Sequence, residues 1–361
     1  MWHDSTDWPS GRLVLQDGTS WQGVCFGAPL SVAGEVVFNT GMTGYPETLT
    51  DPSYAGQILV LTYPLIGNYG VPGEPNSEGL PAHLESGQVQ VAGLIVADYS
   101  PAYSHWQASQ SLGEWLQAQQ VPALCGIDTR ALTRRLRENG TLPGRIEVDG
   151  EPVRRFDPDR ENLVAQVSPT GVRRYGEGRH TVVLIDCGAK ANIIRHLLRR
   201  GLRVVRVPWD YDLSARDYDG LVISNGPGNP KMCRPTILQI RSAFARHKPV
   251  LGICLGHQLM ALAAGANTYK MKYGHRGQNQ PVIEVGTGRG FMTSQNHGYA
   301  VDNRTLPEDW QPWFENLNDG TNEGLRHRRA PFFSVQFHPE ASPGPVEAEE
   351  LFDRFVQQVC P

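Results

Sequence analysis

Short apolar runs separated by turn residues occupy the first third of the chain, the period-two pattern of strands. Residues 12–15 and 20–24 flank Asp17-Gly18, a strong hairpin signal. Residues 34–39, 57–63 and 90–96 read as further strands. Two helical patterns follow. Leu112, Trp115 and Leu116 share one face, and Asp128 caps a second helix that carries Leu132 and Leu136 and ends before Gly140. This half reads as α+β with a mainly β core. From about residue 150 to 179 the chain is rich in Arg, Asp, Glu, Pro and Gly, and its periodicity is weak. Ser168-Pro169-Thr170-Gly171 and Gly176-Glu177-Gly178 punctuate it, which places a domain junction near 177 and predicts domains 1–177 and 178–361.

Beyond that junction strands alternate with helices. Residues 181–186 form the continuous apolar run of a strand buried on both faces. A helix follows with Ile193, Ile194, Leu197 and Leu198 on one side, stopped by Gly201. Strands are predicted at 204–207 and 221–224, a helix at 236–247, and a strand at 249–253. That last strand runs straight into a helix ending at Gly265, a left-handed stop. The alternation predicts an α/β fold with a doubly wound parallel sheet and ligands beyond the strand C-termini.

Composition narrows the function classes. The 361 residues are 40% hydrophobic and 19% charged, ordinary values for globular domains. A net charge of −4 offers no electrostatic footprint for nucleic acid or an acidic membrane. No apolar run approaches a membrane span, and Met1 to Asp7 lacks the basic flank and apolar core of a secretory signal. The six cysteines (25, 125, 187, 233, 254 and 360) show no CxxC pair and no metal-type spacing, so reduced thiols in the cytoplasm are expected. No phosphate-binding loop or dinucleotide fingerprint occurs, and no metal or cofactor is expected in this chain.

One stretch carries chemistry. Gly252-Ile253-Cys254-Leu255-Gly256 places a cysteine between two glycines at a strand-to-helix junction, the arrangement of a nucleophile elbow. The tight turn leaves room only for small neighbours, and the helix N-terminus favours a thiolate. A buried cysteine is more often structural; here the paired glycines argue for the nucleophile. Residues 332–337 form a strand-like run leading to His338-Pro339-Glu340. In an extended chain residues two apart point to one side, so Glu340 can hold the His338 imidazole. His257 and His297 lack such a carboxylate and are set aside as bases. Three further segments could line a pocket. The Ser224-Asn225-Gly226-Pro227-Gly228 loop could offer N–H groups to an oxyanion, together with the N–H of Leu255; in isolation it reads as an ordinary tight turn, but its place one βα unit before the elbow favours the oxyanion hole. Gln258 could hold a polar group of the substrate or merely nearby backbone. Asn296-His297-Gly298-Tyr299 reads as a polar turn, either substrate-binding or plain surface.

Together, Gly252 to Gln258 and His338-Pro339-Glu340 resemble the class I triad glutamine amidotransferases. The segments 224–230 and 295–301 narrow the likeness to the glutamine-hydrolysing small chain of carbamoyl phosphate synthetases. In the N-terminal half, 37–47, 50–54, 62–68 and 126–133 resemble that family's own N-terminal domain, which other triad amidotransferases lack. The resemblance covers nearly the whole chain. It implies a swivelling β/β/α N-terminal domain and a Cys254–His338–Glu340 triad. It also implies L-glutamine contacts at Ser53, Gly226, Gly228, Leu255, Gln258, Asn296, Gly298 and Tyr299. Read without it, Ser53 is a turn residue after Asp51-Pro52. The partner implied is the large chain of the synthetase, in a heterodimer or a higher oligomer, which uses ATP, Mg and bicarbonate. The alternatives are a glutaminase subunit of another triad amidotransferase, and a non-catalytic regulatory chain on the same fold.

Overall fold

Seven strands of the N-terminal half close into a barrel. Their order is Ser10–Leu15, Leu142–Val148, Val32–Asn39, Gln57–Leu61, Gly93–Ile95, Ala123–Cys125 and Ser20–Cys25. The computed structural model describes residues 8–73, 76–77, 79–148, 153, 156–158, 160–214 and 216–360. The N-terminal heptapeptide and most of the predicted linker between 149 and 159 lie outside the described residues. Leu13, Val36, Ile58, Ile95 and Ile146 of the barrel pack with Leu132 and Leu136 of the helix Thr129–Asn139. Asp128 caps that helix by accepting the N–H of Ala131 (2.8 Å). The helix Leu112–Ala118 begins with a Ser111–Glu114 capping box and buries Leu112, Trp115 and Leu116. Strand Leu142–Val148 has no counterpart among the predicted elements, because Pro143 and Gly144 hide it. Gly144 is required there, since a Cβ would lie 2.6 Å from Val36 Cγ2.

The chain divides into compact units at Glu161/Asn162, not near 177. Asn162 caps the short helix Leu163–Val167, Ser168 Oγ donates to the Asp186 carbonyl (2.6 Å), and Arg173–Tyr175 pairs antiparallel with Arg203–Pro208. A five-residue helix and a three-residue edge strand are too short to leave a periodic trace, so residues 162–177 resembled a linker.

The C-terminal unit is built on a ten-stranded sheet. Five strands are parallel, in the spatial order Arg203–Pro208, Thr181–Asp186, Gly220–Ile223, Val250–Ile253 and Phe332–Val335. These and their helices follow the predicted alternation. The sheet is not parallel throughout, however. Asn322–His327, Trp310–Asn316, Asn267–Glu284 and Gly290–Asp302 extend it antiparallel beyond Phe332–Val335. The segment expected as a polar turn, 296–299, lies inside the last of these strands. Register explains its turn-like composition. Lys270 faces Tyr299 and His275 faces His297, so residues 271–274 bulge out opposite Gly298.

Among the described residues no helix is long and apolar enough to cross a membrane. The closing helix Glu350–Val359 buries Leu351, Phe352, Phe355 and Val359, and Gly220 gives it room: a Cβ there would lie 2.9 Å from Phe355 Cζ. Phe355→Ala should therefore destabilise the chain by about 3–5 kcal/mol. Denaturant unfolding followed by fluorescence measures this, and a loss below about 1 kcal/mol would contradict tight packing of the helix.

Candidate active site

Two neighbouring parallel strands build the site. Gly252 lies opposite Ser334 and Ile253 opposite Val335. One residue on, the Cys254 N–H donates to the Val335 carbonyl (2.8 Å). Cys254 then turns at φ 53° and ψ −101°, and the helix Leu255–Ala264 starts at once. A non-glycine residue there is strained and persists only where its surroundings hold it. The expected crowding is present on both sides. A Cβ on Gly252 would lie 2.6 Å from Met260 Sδ, and one on Gly256 would lie 2.2 Å from the Ile223 carbonyl oxygen.

Cys254 is buried, with Sγ 3.6 Å from the Asn296 carbonyl oxygen and 3.6 Å from Gln336 Nε2. His338 is also buried, and its Nδ1 lies 2.5 Å from Glu340 Oε1. Burial alone would drive the imidazole neutral, but Glu340 and then Cys254 outweigh it and raise the His338 pKa to about 10. Burial would likewise raise the Glu340 carboxyl, yet Lys190 and His338 lower it to about 2. With Nδ1 committed to Glu340, Nε2 is the ring nitrogen available for proton exchange with the sulfur.

Lys190 is a member of this group that sequence reasoning missed. It is buried, its Nζ lies 3.2 Å from Glu340 Oε1, and it also donates to the Ala341 carbonyl. The signal was available, because Lys190 lies just past the C-terminus of the strand Thr181–Asp186, where the parallel-sheet rule puts ligands. Gln336 was missed as well, although it directly follows the strand Phe332–Val335 and lies two residues before His338.

The remaining predicted residues fall in four places. Gly226 and Gly228 follow the strand Gly220–Ile223, and a Cβ on Gly226 would lie 2.1 Å from the Cys187 carbonyl oxygen. The Gly256 N–H is taken by the Ser224 carbonyl (3.0 Å), while the Leu255 N–H opens the helix, a position with no intrahelical acceptor. Gln258 uses its amide nitrogen internally, on the Tyr299 carbonyl (2.9 Å) and Gln336 Oε1 (3.0 Å), which leaves Oε1 for a ligand. Asn296, Gly298 and Tyr299 lie on the strand that brings the Asn296 carbonyl to the sulfur. Ser53 belongs to the N-terminal unit, where it is buried and its N–H meets Asp51 Oδ1 (2.9 Å), as a turn residue would.

The two histidines set aside as bases are tied elsewhere. His257 Nδ1 lies 2.9 Å from Ser334 Oγ, and burial lowers its pKa to about 3. His297 Nδ1 donates to the Tyr299 carbonyl (2.8 Å), and burial and then His275 hold the ring well below its ordinary range. His275, His297 and Glu323 bring potential metal-ligating atoms within 4.8 Å of one another, a grouping the spacing did not foreshadow. Hydrogen bonds already engage them: His275 Nε2 with Asp319 Oδ2 (2.9 Å), and both rings with Gln295 Oε1 (3.0 Å each).

Comparison with known proteins relates both halves of the chain to known families. Residues 183–358 match the glutamine amidotransferase class-I family, and residues 13–146 match the carbamoyl-phosphate synthase small chain, CPSase domain. The C-terminal unit is thus a class I glutamine amidotransferase domain. Across 361 aligned residues the chain is 51% identical to the carbamoyl phosphate synthase arginine-specific small chain of Saccharomyces cerevisiae, covering 96% of this chain and 88% of that one. The chain belongs to the carbamoyl-phosphate synthase small-chain family. It is also 52% identical over 351 residues to the mitochondrial carbamoyl-phosphate synthase [ammonia] of Homo sapiens, covering 96% of this chain but only 23% of that protein. The multifunctional protein CAD of Squalus acanthias is 51% identical over 352 residues, and the chain spans 96% of itself and 16% of that protein.

The ion pairs make a pH prediction. The raised His338 contributes stability that is full below pH 6.5 and is lost as pH rises through about 10. The lowered Glu340 contributes stability that is full above pH 4.5 and is lost as pH falls through about 2. Glu340→Gln should flatten both limbs of thermal stability against pH. Limbs as steep as those of the parent would mean that other groups dominate.

Proposed function

We propose that this chain is the glutamine-hydrolysing subunit of a carbamoyl-phosphate synthase, acting in the cytoplasm. The observation that supports this most is the convergence of the Cys254 sulfur, the His338 ring and the Glu340 carboxylate at the ends of two adjacent strands. Cys254 attacks the side-chain amide carbon of L-glutamine, and the carbonyl electrons move onto oxygen. The N–H of Leu255 and the glycine loop around Gly226 and Gly228 stabilise that oxyanion. His338 passes its proton to the amide nitrogen, the C–N bond breaks, and ammonia leaves behind a γ-glutamyl thioester. His338 then takes a proton from water, which attacks the thioester, and glutamate and the free thiol return. Glu340 holds the imidazole in register throughout. Gln258, Asn296, Gly298 and Tyr299 hold the substrate. No metal or cofactor acts in this chain.

The human relative's name specifies ammonia. What favours glutamine here is the complete nucleophile, base and carboxylate, which free ammonia would not require. The ammonia passes to a large partner that makes carbamoyl phosphate from bicarbonate and ATP with Mg, for arginine or pyrimidine synthesis. Released into neutral water it would become mostly ammonium, which has no lone pair for attack. Transfer therefore calls for a stable interface, on the order of 2,000 Å² or more in total. The N-terminal unit is proposed to supply most of it.

Two measurements test this reading. Cys254→Ser should lower glutamine hydrolysis by on the order of 10³-fold or more, while the complex still makes carbamoyl phosphate from added ammonia. Retained glutamine turnover would remove Cys254 from its role. Residues 162–361 expressed alone should fail to support glutamine-dependent synthesis by the large chain. Performance equal to the full chain would overturn the docking role.

A further inference from the structure

We infer that Gln336 is a further catalytic residue, a hydrogen-bond donor fixed on the Cys254 sulfur, with its polarity imposed from the Tyr299 backbone carbonyl through Gln258. The inference rests on the reading of Cys254 as nucleophile. Gln336 directly follows the strand Phe332–Val335, its side chain is fully buried, and its backbone N–H donates to the Glu323 carbonyl (2.9 Å). The strand ends at Val335, and residues 336–340 run on through a bend and a turn in which the Ala341 N–H donates to the His338 carbonyl (3.1 Å). This course brings Gln336 to the Cys254 sulfur and His338 into electrostatic reach of it, with Glu340 behind the imidazole.

An amide's oxygen and nitrogen have nearly the same shape, so their assignment needs a chemical reason. The surroundings supply one. The Tyr299 carbonyl can only accept, and it lies 2.9 Å from the Gln258 amide, so Gln258 must present its NH₂ there. The same nitrogen faces Gln336 at 3.0 Å, so Gln336 must answer with its oxygen. Its remaining group, the NH₂, is therefore the one 3.6 Å from Sγ. His297 Nδ1 meets the Tyr299 carbonyl from another side at 2.8 Å and strengthens its role as an acceptor.

A donor bonds a thiolate more strongly than a thiol, because charge-assisted hydrogen bonds are the stronger kind. On another side of the sulfur, the Asn296 carbonyl at 3.6 Å can only accept and so favours S–H. Gln336 opposes that carbonyl. It stabilises the attacking thiolate, and stabilises it again when the sulfur leaves the thioester.

The test uses the full chain. Iodoacetamide alkylation of Cys254 is followed by mass spectrometry of its peptide between pH 6 and pH 10, roughly the range over which thiols titrate. Gln336→Leu removes the donor, and Gln336→Glu keeps an oxygen for Gln258 but turns an acceptor onto the sulfur. Both should slow alkylation at neutral pH by about tenfold or more and move the profile to higher pH, the Glu variant further. Glutamine hydrolysis should fall mainly in kcat. A packing role alone would leave the profile in place. In the parent chain, the ¹⁵N side-chain amide signal of Gln336 should shift along the same pH profile and stay still in Cys254→Ser. An unmoved profile in a folded variant, or an amide signal that ignores the thiol, overturns the inference. Glutamine turnover retained by Cys254→Ser would instead overturn the nucleophile reading on which it rests.

Discussion

The parallel ladder between Val250–Ile253 and Phe332–Val335 governs the geometry of the site. Its register sets Cys254 beside Val335 and so brings the segment 336–340 to the sulfur. A slip of one residue would carry Gln336, His338 and Glu340 away from the sulfur together, because it would flip every side chain of the strand that leads into them. The register is well specified, since both strands are buried on both faces and each residue has a place in the core. The Cys254 elbow adds a second constraint. Its left-handed φ is held by a crowded turn that admits only glycine at 252 and 256.

Within that frame the buried charges alternate. The Lys190 ammonium meets the Glu340 carboxylate, Glu340 meets the His338 imidazolium, and His338 lies within electrostatic reach of the sulfur. Isolated, each would be costly to take out of water. In sequence they stabilise one another, and Lys190 and Asn192 also satisfy the Ala341 and Glu340 backbone carbonyls. The arrangement holds the imidazole ready to exchange a proton on one nitrogen while the other stays anchored.

The antiparallel extension of the sheet gives the site its far wall. The strand Gly290–Asp302 brings the Asn296 carbonyl to the sulfur and the Tyr299 carbonyl to Gln258. The bulge at residues 271–274 makes this possible. Gly274 approaches the His297 carbonyl so closely that a Cβ would lie 2.2 Å from its oxygen, a contact only glycine allows.

Much was already decided along the chain. Local signals have local causes: the Asp128 cap, the Gly265 stop, the apolar run at 181–186, and the glycines that an elbow at Cys254 requires all act within a few residues. The pairing of His338 with Glu340 was legible because only two residues separate them, although a turn at 338–341, not an extended strand, brings them together. What local pattern could not fix depends on neighbours distant in sequence. Leu142–Val148 is a strand because two other strands need it to close the barrel. Residues 162–177 join the second unit through an edge pairing with 203–208, and 296–299 is extended because a long ribbon faces it. Lys190 and Gln336 acquire their chemistry from groups that folding places against them, a carboxylate 150 positions on and a sulfur 82 positions back. A side chain's type is written in the sequence, but the dielectric and the partners that give it a role exist only once the sheet has formed.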